Sequence, residues 1–198
     1  MLKKNLENYI SETVKEENVI ELFQEEKEYA EKNHLLGEGI IIKERSEDTR
    51  FVTAYIERGD KETEEFLGEE SPAFLNQSID YFKKNKNEFM YLESEWFGLL
   101  RVDAVSFEAD DVFGTYDVML GLKLQKKYEA ALKNQLKTSL KEEEAKFDVM
   151  FDANEGLWNV NFALNDVAGY KEDMTIQQAY SLIYRFLFSL VEAVENAE

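Results

Sequence analysis

The chain has 198 residues and a formal net charge of −19, from 42 acidic and 23 basic side chains. This acidity disfavours nucleic acid and anionic membrane surfaces as partners and fits a basic protein partner better. The absence of cysteine excludes disulfides, thiolate metal sites and cysteine nucleophiles.

The length and the hydrophobic fraction of 44% predict a single domain over residues 1–198. Within it we expect a mainly helical N-terminal part, residues 1–70, and a core, residues 71–198. The N-terminus lacks the apolar segment of a signal peptide, and no run of apolar residues reaches the length of a membrane-spanning helix. A cytoplasmic protein is therefore expected.

The N-terminal part begins with two predicted helices. The first places Leu2, Leu6 and Ile10 at helical spacing, and the second runs from about residue 18 to residue 36, with Gly37 as its stop. The β-branched stretch "GIIIKE", residues 39–44, predicts a short strand. Residues 50–60 fit either a strand or a helix, and their β-branched content makes us favour the strand.

The core begins at Ser71-Pro72, a helix start whose buried side would carry Leu75, Ile79 and Phe82. The stretches "MYLESEWF" and "LLRVDAVSFE" are then predicted to be strands. A third strand, "GTYDVMLGLKL", alternates apolar and polar residues and is expected to be half-buried.

A helix is predicted over residues 126–145, because Tyr128, Leu132, Leu136 and Leu140 recur four residues apart. A hairpin follows, with residues 147–151 and 158–164 alternating on either side of the turn "DANEG". The last helix begins at Thr175, in the pattern of a capping box.

The elements from residue 71 onward follow the order α-βββ-α-ββ-α. This order predicts an α+β fold in which an antiparallel sheet of about five strands carries helices on one side, preceded by the N-terminal helical segment.

The sequence contains no catalytic motif. Its one histidine, His34, lies at the end of a predicted helix, where it is interpreted as a helix cap rather than as a base. Glycine-rich phosphate loops and nucleophile motifs are absent from the sequence. No catalytic residue and no cofactor is therefore expected.

The best candidates for a metal site lie in "EADDVFGTYD", at a turn between two strands. Carboxylate oxygens that converge in a loop suit a hard cation, and the candidates are Glu108, Asp110, Asp111 and Asp117. The spacing matches no EF-hand, so we favour a solvated acidic turn. In "DANEG", Asp152 and Asn154 are expected to bind the turn backbone.

The last helix is apolar over roughly three quarters of its circumference. Its narrow polar stripe consists of Ser181, Arg185, Ser189 and Glu192. One sheet face cannot cover the remainder, and the flank that needs a second neighbour consists of Tyr180, Tyr184, Phe188 and Val191. We favour the N-terminal helices, residues 1–36, as that neighbour. The alternative is a second chain, for which these four residues would form the interface.

The order of elements over residues 71–198, together with the acidity, resembles the type III secretion chaperone and YbjN-like fold, which implies a small, acidic, dimeric binding module. Separately, "GTYDVMLGLKLQKKYEAAL" and "FDANEGLWNVNFALN" are similar to uncharacterised small proteins of Gram-positive bacteria related to Bacillus. Some of these carry the label branched-chain aminotransferase, but the sequence contains neither the pyridoxal-phosphate lysine context nor the phosphate-binding turn of that enzyme.

We therefore expect a cytosolic, non-enzymatic module that binds a protein or peptide in a chaperone-like role, as a homodimer. The alternative is a small-molecule or divalent-cation-dependent enzyme that uses carboxylates, or an aminotransferase as the label implies.

Overall fold

The computed structural model describes residues 1–14, 18–141, 145 and 147–197. These residues form two compact units, Met1–Arg50 and Phe51–Glu198. The division falls earlier than the expected one at residue 70, because the segment from Phe51 onward supplies strands to the sheet of the second unit.

The first unit consists of two helices and a pair of strands. The helices are α1, Leu2–Thr13, and α2, Gln24–Lys32, and the strands are β1, Val19–Leu22, and β2, Ile41–Glu44, which pair in parallel. The strand expected in residues 39–44 is thus confirmed. The helix expected over residues 18–36 is wrong at its start, because β-branched Val19 and Ile20 pair with β2 instead.

Helix α2 ends before Gly37. Its C-terminal cap includes His34, the residue interpreted as a helix cap from the sequence. His34 adopts a left-handed φ of 54°, and its N–H donates to the Glu31 carbonyl at 3.3 Å. The Leu35 N–H donates to the Ala30 carbonyl at 2.9 Å, which completes a Schellman motif. The capping role of His34 is therefore structural.

A buried ion pair ties α2 to the end of the first unit. The fully buried Arg50 donates to Glu26 at 2.8 Å and to Glu25 at 2.5 Å, and its guanidinium carbon lies 4.0 Å from the centre of the Phe23 ring. Glu26 is also fully buried, so each charge compensates the cost of burying the other.

The second unit is built on an antiparallel sheet of seven strands in the order β4-β3-β5-β6-β7-β9-β8. The strands are β3, Tyr55–Asp60; β4, Phe66–Glu69; β5, Glu88–Glu93; β6, Val102–Ala109; β7, Tyr116–Leu122; β8, Phe147–Asp152; and β9, Leu157–Ala163. The expected α+β class with an antiparallel sheet is confirmed. The sheet has more than the expected five strands, because β3 and β4 join it at β5, and the strand favoured within residues 50–60 is thereby confirmed.

Four α-helices lie among the described residues of this unit, and three of them differ from expectation. They are α3, Asp80–Lys84; α4, Glu95–Leu99; α5, Glu129–Ser139; and α6, Ile176–Glu195. A 3-10 turn, Pro72–Asn76, precedes α3 instead of one continuous helix. "MYLESEWF" ends as helix rather than strand, because Ser94 accepts the Trp96 N–H and starts α4.

Helix α5 is shorter than the expected range of residues 126–145, since it begins at Glu129 and its C-cap is Leu140. Residues 142–144 of that range lie outside the described residues. The capping box of α6 is confirmed. Thr175 Oγ1 accepts the Gln178 N–H at 3.2 Å, and Gln178 Oε1 accepts the Thr175 N–H at 2.9 Å.

The helices of the described residues are too short or too polar for any of them to be a membrane-spanning segment.

The core lies between α6 and one face of the sheet. Every second side chain is buried along β7, along β9 and along β6 from Val105 onward, and the Phe186 ring of α6 lies 4.8 Å from the Phe162 ring of β9. The alternate side chains point to the opposite face and are partly or fully exposed. The sheet therefore has one covered face and one open face.

Three hairpin turns of this unit share one conformation. Each begins with an aspartate whose Oδ1 accepts the backbone N–H groups of the second and third residues after it, and whose carbonyl accepts the N–H of the fourth. The fourth residue has a left-handed φ of 57°, 67° or 68°. The turns are "DKETE" (60–64), "DDVFG" (110–114) and "DANEG" (152–156). The role expected for Asp152 extends to the first aspartate of all three turns. The fourth position after it is glycine in two turns and Glu64 in the third.

We expect Glu64→Gly to raise the free energy of unfolding by about 0.5–1 kcal/mol, because glycine adopts positive φ without a steric cost. Urea unfolding monitored by circular dichroism measures the change. Gly156→Ala at the matching position is the control and should lower the free energy of unfolding by about 1 kcal/mol. Destabilisation by Glu64→Gly would show that the glutamate makes a contact that outweighs its backbone strain.

Candidate functional site

The flank of α6 that the sequence analysis nominated as an interface is buried within the chain. Tyr180, Tyr184, Phe188 and Val191 are 0%, 0%, 4% and 2% exposed. The Tyr180 ring lies 6.1 Å from Phe51 and 5.8 Å from Phe107. These neighbours belong to residues 51–198, whereas the sequence analysis favoured residues 1–36 as the cover. The four side chains thus present almost no surface to a second chain.

The hydroxyl of Tyr180 has a defined place in this core. It donates to the Val105 carbonyl at 3.2 Å, and burial raises the pKa of Tyr180 well above its ordinary value. Val105 adjoins the point where the pairing of β6 and β7 shifts register.

The polar stripe of α6 is only partly as expected, since Arg185 and Ser189 are exposed but Ser181 is buried.

The four candidate metal ligands lie near one another but act separately. Glu108 and Asp117 are directly opposite on β6 and β7, whereas Asp110 binds the amides of its own turn and Asp111 is exposed. Among the described residues, no group of three or more histidine or carboxylate side chains is placed to hold a metal ion. The solvated turn is the interpretation that fits Asp110 and Asp111.

The open face of the sheet brings together residues that are distant in the sequence. One row of paired residues crosses all seven strands, and its members are Glu69, Glu57, Tyr91, Ser106, Met119, Asn161 and Asp148. Glu108 and Asp117 lie in the adjacent row. This face is therefore polar and acidic, with isolated apolar side chains.

Two depressions mark the end of this face that β6, β7, β8 and β9 form. One has a volume of about 690 Å³ and is lined by residues that include Asp117 and Phe147, and the other has a volume of about 480 Å³ and is lined by residues that include Tyr91 and Met119. Asp148 and Asn161 line both depressions, so the two adjoin each other. A groove of this kind can hold an extended ligand across several strands.

Two side chains that lie over glycines add apolar surface to this face. The ring of Phe89 lies on Gly59 so closely that a Cβ there would come within 2.5 Å of it, and Leu157 lies on Gly121 in the same way at 3.1 Å. Glycine at these two positions lets the neighbouring side chain lie flat along the sheet.

The described residues neutralise the carboxylates of the open face only in part. Lys61 Nζ lies 3.5 Å from Glu108 Oε1 and donates to the Ala109 carbonyl. Burial raises the pKa of both Glu108 and Asp117; the charge of Lys61 opposes the rise at each, and Asp110 adds to it at Asp117. Asp117 has no ion-pair partner within 4.0 Å among the described residues.

Tyr91 contributes a neutral hydroxyl to the same face. Burial and its hydrogen bond to Glu93, at 3.0 Å, raise the pKa of Tyr91 to about 12. The phenol is therefore protonated at neutral pH and acts as a donor.

This surface was not predicted from the sequence, because the most apolar helix carries the stronger local signal. The signal was present in the alternation along the strands, whose polar positions carry acidic, amide and aromatic residues. Only the pairing of the strands shows that these positions form one surface.

Comparisons of the chain with protein-family models, with curated protein sequences and with solved structures found no match. The two resemblances named above therefore stay predictions.

We expect Asp117→Asn to raise the free energy of unfolding at pH 7 and to leave it unchanged near about pH 3.5. Burial raises the pKa of Asp117 above its unfolded value of 3.8, so the fold favours the protonated carboxyl, and that stability is lost as the pH rises through the raised pKa. The gain should stay below about 1 kcal/mol, because the side chain is partly solvated.

Urea unfolding at the two pH values measures the difference between the variant and the wild type. The exposed Asp173→Asn is the control and should change neither value. A loss of stability in Asp117→Asn at pH 7 would mean that the charged carboxylate stabilises the fold.

We expect Tyr180→Phe to lower the free energy of unfolding by about 1 kcal/mol, because the Val105 carbonyl loses its buried donor. Tyr55→Phe removes a hydroxyl whose bond to Glu57 is exposed, so it should cost less than about 0.5 kcal/mol. Chemical unfolding compares the two variants, and equal costs would contradict the structural role of the buried bond.

Proposed function

We propose that this protein is a non-enzymatic binding module that holds a basic, extended segment of another protein on the open face of its sheet. The observation that carries the proposal is the groove across β6, β7, β9 and β8, whose carboxylates outnumber the cations that the described residues place beside them. Cytoplasmic location and a chaperone-like role are part of the proposal.

The charges on this face favour a basic ligand. Lys61 and Lys123 are already paired there, with Glu108 and Asp103 respectively. Asp117 and Asp148 have no ion pair among the described residues, so lysine or arginine side chains of a ligand would supply the missing charge.

The uncharged side chains of the groove suit the rest of such a segment. The side-chain amides of Asn159 and Asn161 make no hydrogen bond to another described residue, so they can both donate to and accept from a peptide backbone. Met119 and Leu157 provide apolar contacts for the aliphatic stems of lysine and arginine.

The homodimer expected from the sequence is not part of this proposal. It depended on the flank of Tyr180, Tyr184, Phe188 and Val191, which is buried in the single chain. The open face provides a binding surface that does not require the core to open.

Binding of a synthetic peptide tests the proposal. A fluorescent peptide of six Lys-Ser repeats should bind, and its affinity should fall as salt is added, whereas six Glu-Ser repeats should not bind. In Asp117→Asn/Asp148→Asn the affinity for the basic peptide should fall about tenfold, because two uncompensated carboxylates are lost.

The matched control changes the net charge by the same amount away from the groove. Glu172→Gln/Asp173→Asn alters two exposed residues that precede α6 and should leave the affinity unchanged. Equal losses in the two double variants would mean that only net charge matters, and the proposed site would be wrong. No binding of the basic peptide to the wild type would refute the function itself.

A further inference from the structure

The two edges of the seven-stranded sheet differ in how well they can accept a further strand. The edge strand β4 has four residues, and its pairing with β3 shifts register after Arg58. Short and irregular edge strands protect natural sheets from pairing with other chains. The edge strand β8 has six residues, and all of them pair with β9 without a register shift. Of the two edges, β8 therefore offers the regular one.

The backbone of β8 carries hydrogen-bonding groups on the side away from β9. The Gly156 N–H donates to the Asp152 carbonyl at 2.9 Å, so the backbone groups of Asp152 point toward β9. Because this direction alternates along a strand, those of Phe147, Val149 and Phe151 point away from β9. Among the residues that the structure describes, none donates to or accepts from these outward groups. They can therefore pair with another strand.

The side chains of the same three residues are incompletely covered. Phe147, Val149 and Phe151 are only half-buried. The residues opposite them on β9 are buried in the core, and they are Phe162, Val160 and Trp158. A strand beside β8 would remove more of this apolar surface from water.

We propose that a second copy of this chain covers this edge with its own β8, in an antiparallel pair centred on Val149, which lies opposite Val149 of the other copy. The resulting homodimer goes beyond the peptide-binding function proposed above and does not depend on it.

Pairing centred on Val149 satisfies the outward backbone of both chains. Phe147 of each copy lies opposite Phe151 of the other, so all three outward residues exchange N–H···O bonds with the second chain. The same pairs bring aromatic and β-branched side chains into contact. Because paired residues share a face, the open faces of the two copies lie on the same side of the joined sheet.

The charges of β8 fit a second copy in this register. Asp148 lies opposite Met150 of the other chain, a side chain that is 60% exposed in the single chain. A shift by two residues in either direction would set Asp148 opposite Asp148 or opposite Asp152 of the other chain. Like charges directly opposite each other destabilise a strand pair. The order of residues in β8 therefore selects the register centred on Val149.

Sedimentation equilibrium over a range of concentrations tests the homodimer. The wild type should reach twice the mass of one chain. Val149→Pro removes an outward N–H and leaves the donors toward β9 intact, so it should be monomeric and keep the circular dichroism spectrum of the wild type. A wild type that stays monomeric at every concentration would refute the second copy as the occupant of this edge.

The exposed Met150 tests the register with variants that should fold as the wild type does. Met150→Asp places a carboxylate opposite Asp148 of the other chain and should raise the dissociation constant of the dimer about tenfold. Met150→Lys places a cation there and should lower that constant about threefold.

Two matched controls change the net charge by the same amounts at exposed positions outside β8. Lys171→Gln is the control for Met150→Asp, and Asp173→Asn is the control for Met150→Lys. Each control should change the dissociation constant less than about twofold, because distant surface charges are screened by salt. Effects equal to those of the Met150 variants would mean that only net charge matters, and the register would be wrong.

The absence of cysteine from the chain allows a direct test of the contact. In the proposed dimer, positions 148 and 150 of different copies face each other with Cα atoms about 4.5 Å apart, which suits a disulfide. Under oxidation, a mixture of Asp148→Cys and Met150→Cys should therefore form the linked dimer faster than either variant alone at the same total concentration. Equal rates in the mixture and in the single variants would refute the pairing.

Discussion

The packing of α6 against one face of the seven-stranded sheet is the interaction on which the rest of the second unit depends. Most of its 20 residues are buried, and each large side chain removed from water contributes about 1.5–3 kcal/mol. Because successive side chains of a strand point to opposite faces, covering one face with α6 assigns every alternate residue to the other. The acidic open face is thus a direct consequence of where α6 lies. The bond from Tyr180 to the Val105 carbonyl adds a fixed point to a contact that is otherwise non-directional.

The open face is a poor arrangement for stability alone. Glu57 lies opposite Glu69, and Glu108 lies opposite Asp117, so carboxylates face each other across neighbouring strands. Like charges in such pairs are destabilising. The buried core offsets that loss of stability. Binding of the proposed basic ligand would relieve the repulsion between these carboxylates. Functional surfaces commonly sacrifice stability in this way.

The three aspartate turns share one backbone conformation but expose different side chains. In each, one carboxylate binds two backbone amides, and the fourth residue has positive φ. The residues at the apex do not contribute to this pattern, so they are free to differ. The β6–β7 turn uses that freedom to place Phe113 beside the groove.

The sequence by itself determined the elements whose signals are local. Alternation predicted β7 and the β8–β9 hairpin, the Thr175–Gln178 pair predicted the start of α6, and the turn chemistry predicted the role of Asp152. These features depend on contacts within a few residues, which periodicity and capping rules describe directly.

The tertiary structure decided the features that depend on pairing between distant segments. β1 is a strand because β2 lies beside it, β3 and β4 extend the sheet because β5 accepts β3, and the flank of α6 is covered by Phe51, Phe97 and Phe107. The groove likewise exists only because strand pairing places Asp117 and Asp148, from different hairpins, around one depression. No local pattern encodes these neighbours, since strand register and helix docking are set by the free energy of the whole core rather than by the preference of any one segment.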